Sequence, residues 1–162
     1  MTIKEMKQQF VRTGKVEWIG VRTAQDMPVQ VVDVVVADTQ HGLIGDRFKG
    51  GPGALRQVTL IQAENLQVVA QLLGQESLDP ALTRRNIMIS GINLSALKDC
   101  LVRIGGATLK ITGSCPPCSQ MEKNLGKGGY NAMIGHGGVT ATVLEGGEIR
   151  LGDELIPIFE TS

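Results

Sequence analysis

Residues 100–122 read "CLVRIGGATLKITGSCPPCSQME". The apolar runs on either side of Gly105-Gly106 predict two strands broken at that pair. The second strand leads straight into two cysteines that flank a diproline, in a chain with only one other thiol. Cys115 and Cys118 are therefore a redox pair, half of a zinc site, or a stiff mount for a single working sulfur.

The neighbouring segments extend the β pattern. "KVEWIGVR" alternates around Val16, Trp18 and Val21, and "QVVDVVVA" is rich in β-branched residues, with Asp33 as a solvent-facing position or a bend. "RQVTLIQ" and "NIMISG" read as further strands, and "VTATVLEGGEIRLGDELIPI" as a hairpin around Gly146-Gly147 followed by a last strand. In that segment Asp153 is placed to cap the turn. "AENLQVVAQLLG" is the clearest helix, with Leu66, Val69, Ala70 and Leu73 at helical spacing and Gly74 as a C-cap. Asp79-Pro80 and Asn93 open short helical turns. Residues 1–14 suggest a short lead-in helix, and 119–130 starts helical and loosens at Gly126, Gly128 and Gly129. About eight short strands with few helices predict a mainly β fold, a closed or nearly closed barrel of mostly antiparallel strands. A chain of 162 residues is most simply one domain, drawn here as a lead-in over 1–15, a barrel over 16–158 and a tail over 159–162.

Composition narrows the function. Lys+Arg and Asp+Glu are both 16, so bulk charge argues against a general nucleic-acid binder. Three cysteines fit a reducing compartment better than a disulfide framework. No stretch approaches the ~20 apolar residues of a membrane span, and the N-terminus has no signal-peptide core. The expectation is a cytoplasmic protein without membrane or nucleic-acid partners.

For the cysteine pair, a thioredoxin-like motif should open a helix within a βαβ unit, whereas this one follows a strand in an all-β context. A structural zinc site needs four ligands, and Cys100, His41 and His136 stand at no familiar spacing from the pair. Pro116 and Pro117 fix φ and remove two backbone donors, which suits a stiff loop that aims Cys118 at a ligand. A thiolate held there could bind a soft metal or attack sulfur. Cys100, beside Leu101 on a strand, reads as a packing residue.

The long loop "DTQHGLIGDRFKGGPGAL" holds six glycines and prolines, and loops of this length are usually functional or disordered. Arg47 and Lys49 on it, with Arg56 and the run Arg84-Arg85-Asn86 at strand ends, offer donors for phosphate or carboxylate. The alternative is an Asp46–arginine ion pair that pins a glycine turn, with solvated arginines around it. His136, between glycines in "IGHGGVTA", either bonds a ligand or satisfies its turn. A dinucleotide-binding glycine fingerprint and a Walker loop are both missing.

These stretches in order, "GLIGDRFKG", "RQVTLIQAE", "RRNIMISGINL", "RIGGATLKITGSCPPCSQME" and "GHGGVTATVLEGGEIRLGD", resemble the MOSC domain family, named for the C-terminal portion of molybdenum cofactor sulfurases. The resemblance runs from about residue 16 to 157. It implies a β-barrel and handling of the molybdenum cofactor, as a binder of the pterin-linked metal or as a sulfur carrier in its maturation. In related molybdoenzymes that reduce N-hydroxylated compounds, the family's cysteine ligates molybdenum. That role falls here on Cys118, with Cys115 an extra thiol. Arg47, Arg56, Arg84, Arg85, Asn86 and His136 become candidates for the cofactor's surroundings. The chain lacks a pyridoxal-phosphate desulfurase module, so pyridoxal phosphate is not expected on it. It also lacks the redox domain of larger reductases, so an electron-transfer or desulfurase protein is the implied partner. The position after "GDR" that often holds His is Phe48. A non-catalytic domain with a structural metal held by Cys115, Cys118 and His136 is the remaining alternative.

Overall fold

A computed structural model describes residues 1–48 and 50–159. Lys49 and most of the expected tail, residues 160–162, lie outside the described residues. The elements are α1 (Ile3–Lys7), β1 (Gly14–Val21), β2 (Gln30–Val32), β3 (Val34–Asp38), β4 (Gly42–Leu43), β5 (Val58–Gln62), α2 (Ala63–Leu72), β6 (Ile87–Ser90), β7 (Leu101–Ile104), β8 (Ala107–Ser114), α3 (Ser119–Leu125), α4 (Gly129–Met133), β9 (Val139–Glu145), β10 (Gly147–Arg150) and β11 (Glu154–Ile158). Two 3-10 turns, Pro80–Thr83 and Leu94–Leu97, are capped by Asp79 and Asn93 as the sequence predicts. The β pattern is thus cut into more, shorter pieces than the eight expected.

The large sheet runs β11-β7-β8-β9-β5-β6-β1-β2, and a β1–β11 pairing closes seven of these strands into a barrel. The long β1 makes closure possible. Gly14 and Lys15 pair with β11, while Ile19, Gly20 and Val21 pair with β2 further along the same strand. The fold is mainly β and mostly antiparallel, but strand orientation is mixed because β5 and β6 are parallel. A parallel pair needs a crossover, and α2 with the first 3-10 turn supplies it.

Val16, Ile19, Leu60, Ile87, Ile89, Val102, Leu109, Ile111, Ala141 and Leu155 fill the barrel. β5 is buried on both faces because a second cluster lies outside it. There Ile61 meets Leu66 and Val69 of α2, Met121 and Leu125 of α3, and Met133 of α4. The three helices are thereby held on one flank, and α3 fixes the exit of the cysteine loop.

Three expectations change. Asp33 separates two strands of different sheets, β2 in the barrel sheet and β3 in a smaller sheet ordered β10-β3-β4. The expected hairpin at Gly146-Gly147 does not form: β9 stays with β8 and β5, whereas β10 pairs with β3. Gly146 passes against the Ala37 carbonyl and Gly147 against that of Gly106, where a Cβ would collide, so the glycines serve a crossing between sheets. Beyond Gly126 the chain starts a second helix, α4, because the Glu122 carboxylate accepts from the N–H groups of Gly128 and Tyr130 at 3.0 Å each.

A candidate anion and thiol site

The cysteine loop is extended. Residues 115–118 carry neither turn nor bend, as two consecutive prolines dictate: each fixes its own φ and pushes the residue before it towards extended backbone. At ~3.1 Å per residue the α-carbons of Cys115 and Cys118 stand about 9 Å apart, past the ~7 Å limit for a disulfide. The thiols also face different surroundings. Cys115 is 1% exposed, whereas Cys118 is exposed and stands at the N-cap position of α3 without a side-chain cap bond. The arrangement favours a single working sulfur over a redox pair. Cys100 packs against the barrel core, and burial, with Asp99 adding to it, pushes its thiol up.

Cys118 opens onto a cavity of about 740 Å³ whose wall includes Arg22, Arg47, Arg56, Arg84 and Arg85. The structure thus brings four predicted arginines and the predicted cysteine together. It does not bring Asn86 or His136 to that wall.

The arginines differ in what they already hold. Arg85 is 2% exposed. Its Nε donates to the Gly137 carbonyl at 2.8 Å, Nη1 to Thr83 at 3.1 Å, and Nη2 to Cys115 at 3.3 Å and Pro116 at 3.2 Å. It clamps the cysteine loop to the "GHGG" segment through backbone carbonyls. Burial draws its guanidinium below the ordinary value, with Cys115 opposing that and Arg56 adding to it. No carboxylate pairs with it among the described residues, so its charge is met there by carbonyl oxygens beneath the cavity. Arg84, in a left-handed cap at φ 56°, donates to the carbonyls of Met27 at 2.9 Å and Ala24 at 3.4 Å. It holds the turn over residues 24–27 as one cavity wall. Burial again lowers its guanidinium, and Arg22 and Arg47 add to the effect.

Asp46 of "GDR" does form an ion pair, but with Arg22. The Arg22 Nη2 stands 2.9 Å from Oδ2, and its Nε and backbone N–H donate to Oδ1 at 3.2 and 2.7 Å. Asn86 lies beneath. It donates to Asp46 Oδ1 at 3.1 Å and to the Gly20 carbonyl at 3.2 Å, and accepts from Thr59 N–H at 3.1 Å. Its amide is spent on holding β1, β5 and the loop in register. Burial pushes the Asp46 carboxyl up, but the Arg22 bonds and then Asn86 outweigh it and keep it below the usual range. Because Asp46 is satisfied elsewhere, Arg47 and Arg56 have no ion-pair partner among the described residues. Gln57 ties the same loop down by donating to Thr39 and Gly51 carbonyls and accepting from Val143 N–H at 2.7 Å.

His136 sits on the glycine segment behind the cysteine loop, and its buried Nδ1 has no hydrogen-bond partner. Gly137 beside it presses on the Cys115 carbonyl. No group of three or more His, Cys, Asp or Glu gathers as a metal cage among the described residues. Sequence reasoning missed Arg22, Asp26 and Phe48 as wall residues. Arg22 was findable, as the polar residue that ends a strand facing the "GDR" loop. Nothing marked Asp26.

Residues 38–156 match the MOSC domain family, and the chain belongs to it. The fold is similar to that of the YuaD protein from Bacillus subtilis, at 19% identity and a TM-score of 0.76 over 92% of this chain and 98% of that one. It is also similar to YiiM from Geobacillus stearothermophilus, at 16% identity and 0.72 over 90% and 75% of the chains. YiiM from Escherichia coli gives 17% identity and 0.69 over 91% and 71%. No curated protein matches the chain. No helix among the described residues is long and apolar enough to cross a membrane.

Proposed function

We propose that the protein binds the molybdenum cofactor in the arginine-lined cavity, with the Cys118 sulfur in contact with the metal, as an oxidoreductase component served by an electron-donating protein. One observation carries this reading. A buried arginine without a carboxylate partner among the described residues, two further arginines unpaired among them, and an exposed thiol all line one cavity. A wall of guanidinium groups with so few carboxylate partners suits an anion, and the cofactor brings a phosphate and a pair of thiolates. The volume, about 740 Å³, is of the size that holds a cofactor-sized ligand.

Bound there, the cofactor would supply redox and oxygen-atom-transfer chemistry at its metal. The chain's own part is to bind and orient. Arg47 and Arg56 offer planar forks to the phosphate, Arg85 fixes the loop that presents Cys118, and the Arg22–Asp46–Asn86 network holds the opposite wall. The test is to express the protein in a cofactor-competent host and measure metal and pterin on the purified chain. Near-stoichiometric molybdenum and pterin are expected, falling severalfold in Arg56→Ala. Absence of both from the wild type would overturn the reading.

A second reading has its own support. Because Cys115 is buried while Cys118 is exposed, a persulfide on Cys118 would not readily meet its neighbour as a resolving thiol. The thiol would then carry sulfur for cofactor maturation. Intact mass after incubation with a cysteine desulfurase should gain one reductant-removable sulfur on Cys118; no gain would dispose of this version.

A further inference from the structure

Among the described residues of the cavity wall, one carboxylate, Asp26, stands amid the arginines. An acid costs affinity in a site built for an anion, so its position calls for a reason. Its turn is not free: Arg84 holds the carbonyls of Ala24 and Met27 on either side of it. The backbone at Asp26 is left-handed, with φ 63°, a conformation that Asp and Asn adopt more readily than most residues. Unlike Asp46, Asp26 is in no ion pair at bonding distance among the described residues, although its charge lies near enough to Arg84 to oppose the lowering of that guanidinium. It also lines a second hollow of about 540 Å³ that shares Arg84 and Gln120 with the first, and so stands where the two meet. Phe48, on the same wall as the arginines, adds an aromatic face.

We infer that Asp26 reads the donor edge of the pterin ring, an inference that rests on the cofactor reading above. A pterin carries an amino group and a ring N–H side by side, a guanidine-like pair that a carboxylate accepts with both oxygens. The arginines take the phosphate end and Asp26 selects the heterocycle. The wall therefore divides its work by charge, cations for the anionic tail and Asp26 for the donor-bearing ring.

The experiment uses the cofactor-free full chain and two fluorescent probes, pterin and lumazine. Lumazine has a carbonyl where pterin has the amino group, so it would turn an acceptor towards the carboxylate. The wild type is expected to bind pterin about tenfold more tightly than lumazine, the effect of one lost charge-assisted contact at an exposed site. Asp26→Asn suits the left-handed backbone and is expected to keep the melting temperature while losing most of that preference. Equal binding of the two probes by the wild type would overturn the inference, as would a preference that survives in Asp26→Asn. Either result can coexist with molybdenum and pterin on the purified protein, so failure here is distinct from failure of the cofactor reading.

Discussion

At the scale of the residue, neighbours in sequence do unlike work. Arg84, Arg85 and Asn86 are three consecutive polar residues, yet one braces a turn, one clamps the cysteine loop and one knits two strands to the "GDR" loop. On paper all three were candidate donors for a ligand, with solvated surface groups as the alternative. An isolated charge carries no sign of where its bonds go, which is why Asp26 escaped notice while Asn86 drew it. The two thiols also differ by environment alone. Iodoacetamide is expected to modify Cys118 at least tenfold faster than Cys115, given their exposures; comparable rates would contradict the extended loop. Cys118→Ser should change stability by no more than about 0.5 kcal/mol. Cys115→Ser, which buries a hydroxyl, should cost about 1–3 kcal/mol. Asp46 adds a pH dependence. Its carboxyl is held below the ordinary value in the folded state, so its contribution is present above the unfolded value near ~3.9 and is lost as pH falls through the folded one. The melting-temperature gap between the wild type and Asp46→Asn should therefore be widest near neutrality and shrink below about pH 4. A gap that does not shrink at all as pH falls below about 4 would argue against the ion pair as its source.

At the scale of the element, the strands were legible where β-branched residues ran together, as in "QVVDVVVA" and "NIMISG". α2 was legible from its period. What could not be read was pairing. Closure of the barrel joins Gly14 to Leu155, and the step of the chain at Gly146-Gly147 from one sheet to the other depends on backbones that only meet in the fold. α4 was hidden by the glycines before it, since its cap comes from Glu122 on the preceding helix. The "GHGG" segment shows the same coupling between elements. Gly138 has φ 88° and faces the Leu60 backbone at contact distance, whereas Gly45, at φ 96°, has open space where a Cβ would go. Gly138→Ala should cost more than about 3 kcal/mol, from strain and collision together. Gly45→Ala should cost about 1 kcal/mol, from strain alone. Urea unfolding of the two variants checks the order, and equal losses would deny the close packing behind the cysteine loop.

At the scale of the whole molecule, the barrel acts as a rigid frame whose loops converge on one cavity. The "GDR" loop after β4, the turn after β1, the Arg84-Arg85 corner before β6 and the cysteine loop after β8 all reach it. Neutral overall charge concealed this, because five arginines meet on one wall while most of the acids that balance them lie elsewhere. The central claim is that the sulfur of Cys118 touches the metal. X-ray absorption at the molybdenum edge tests it most directly on the loaded wild type, Cys118→Ser and Cys115→Ser. The account expects one sulfur fewer around the metal in Cys118→Ser and no change in Cys115→Ser. An unchanged sulfur count in Cys118→Ser, with metal and pterin still bound, would contradict it.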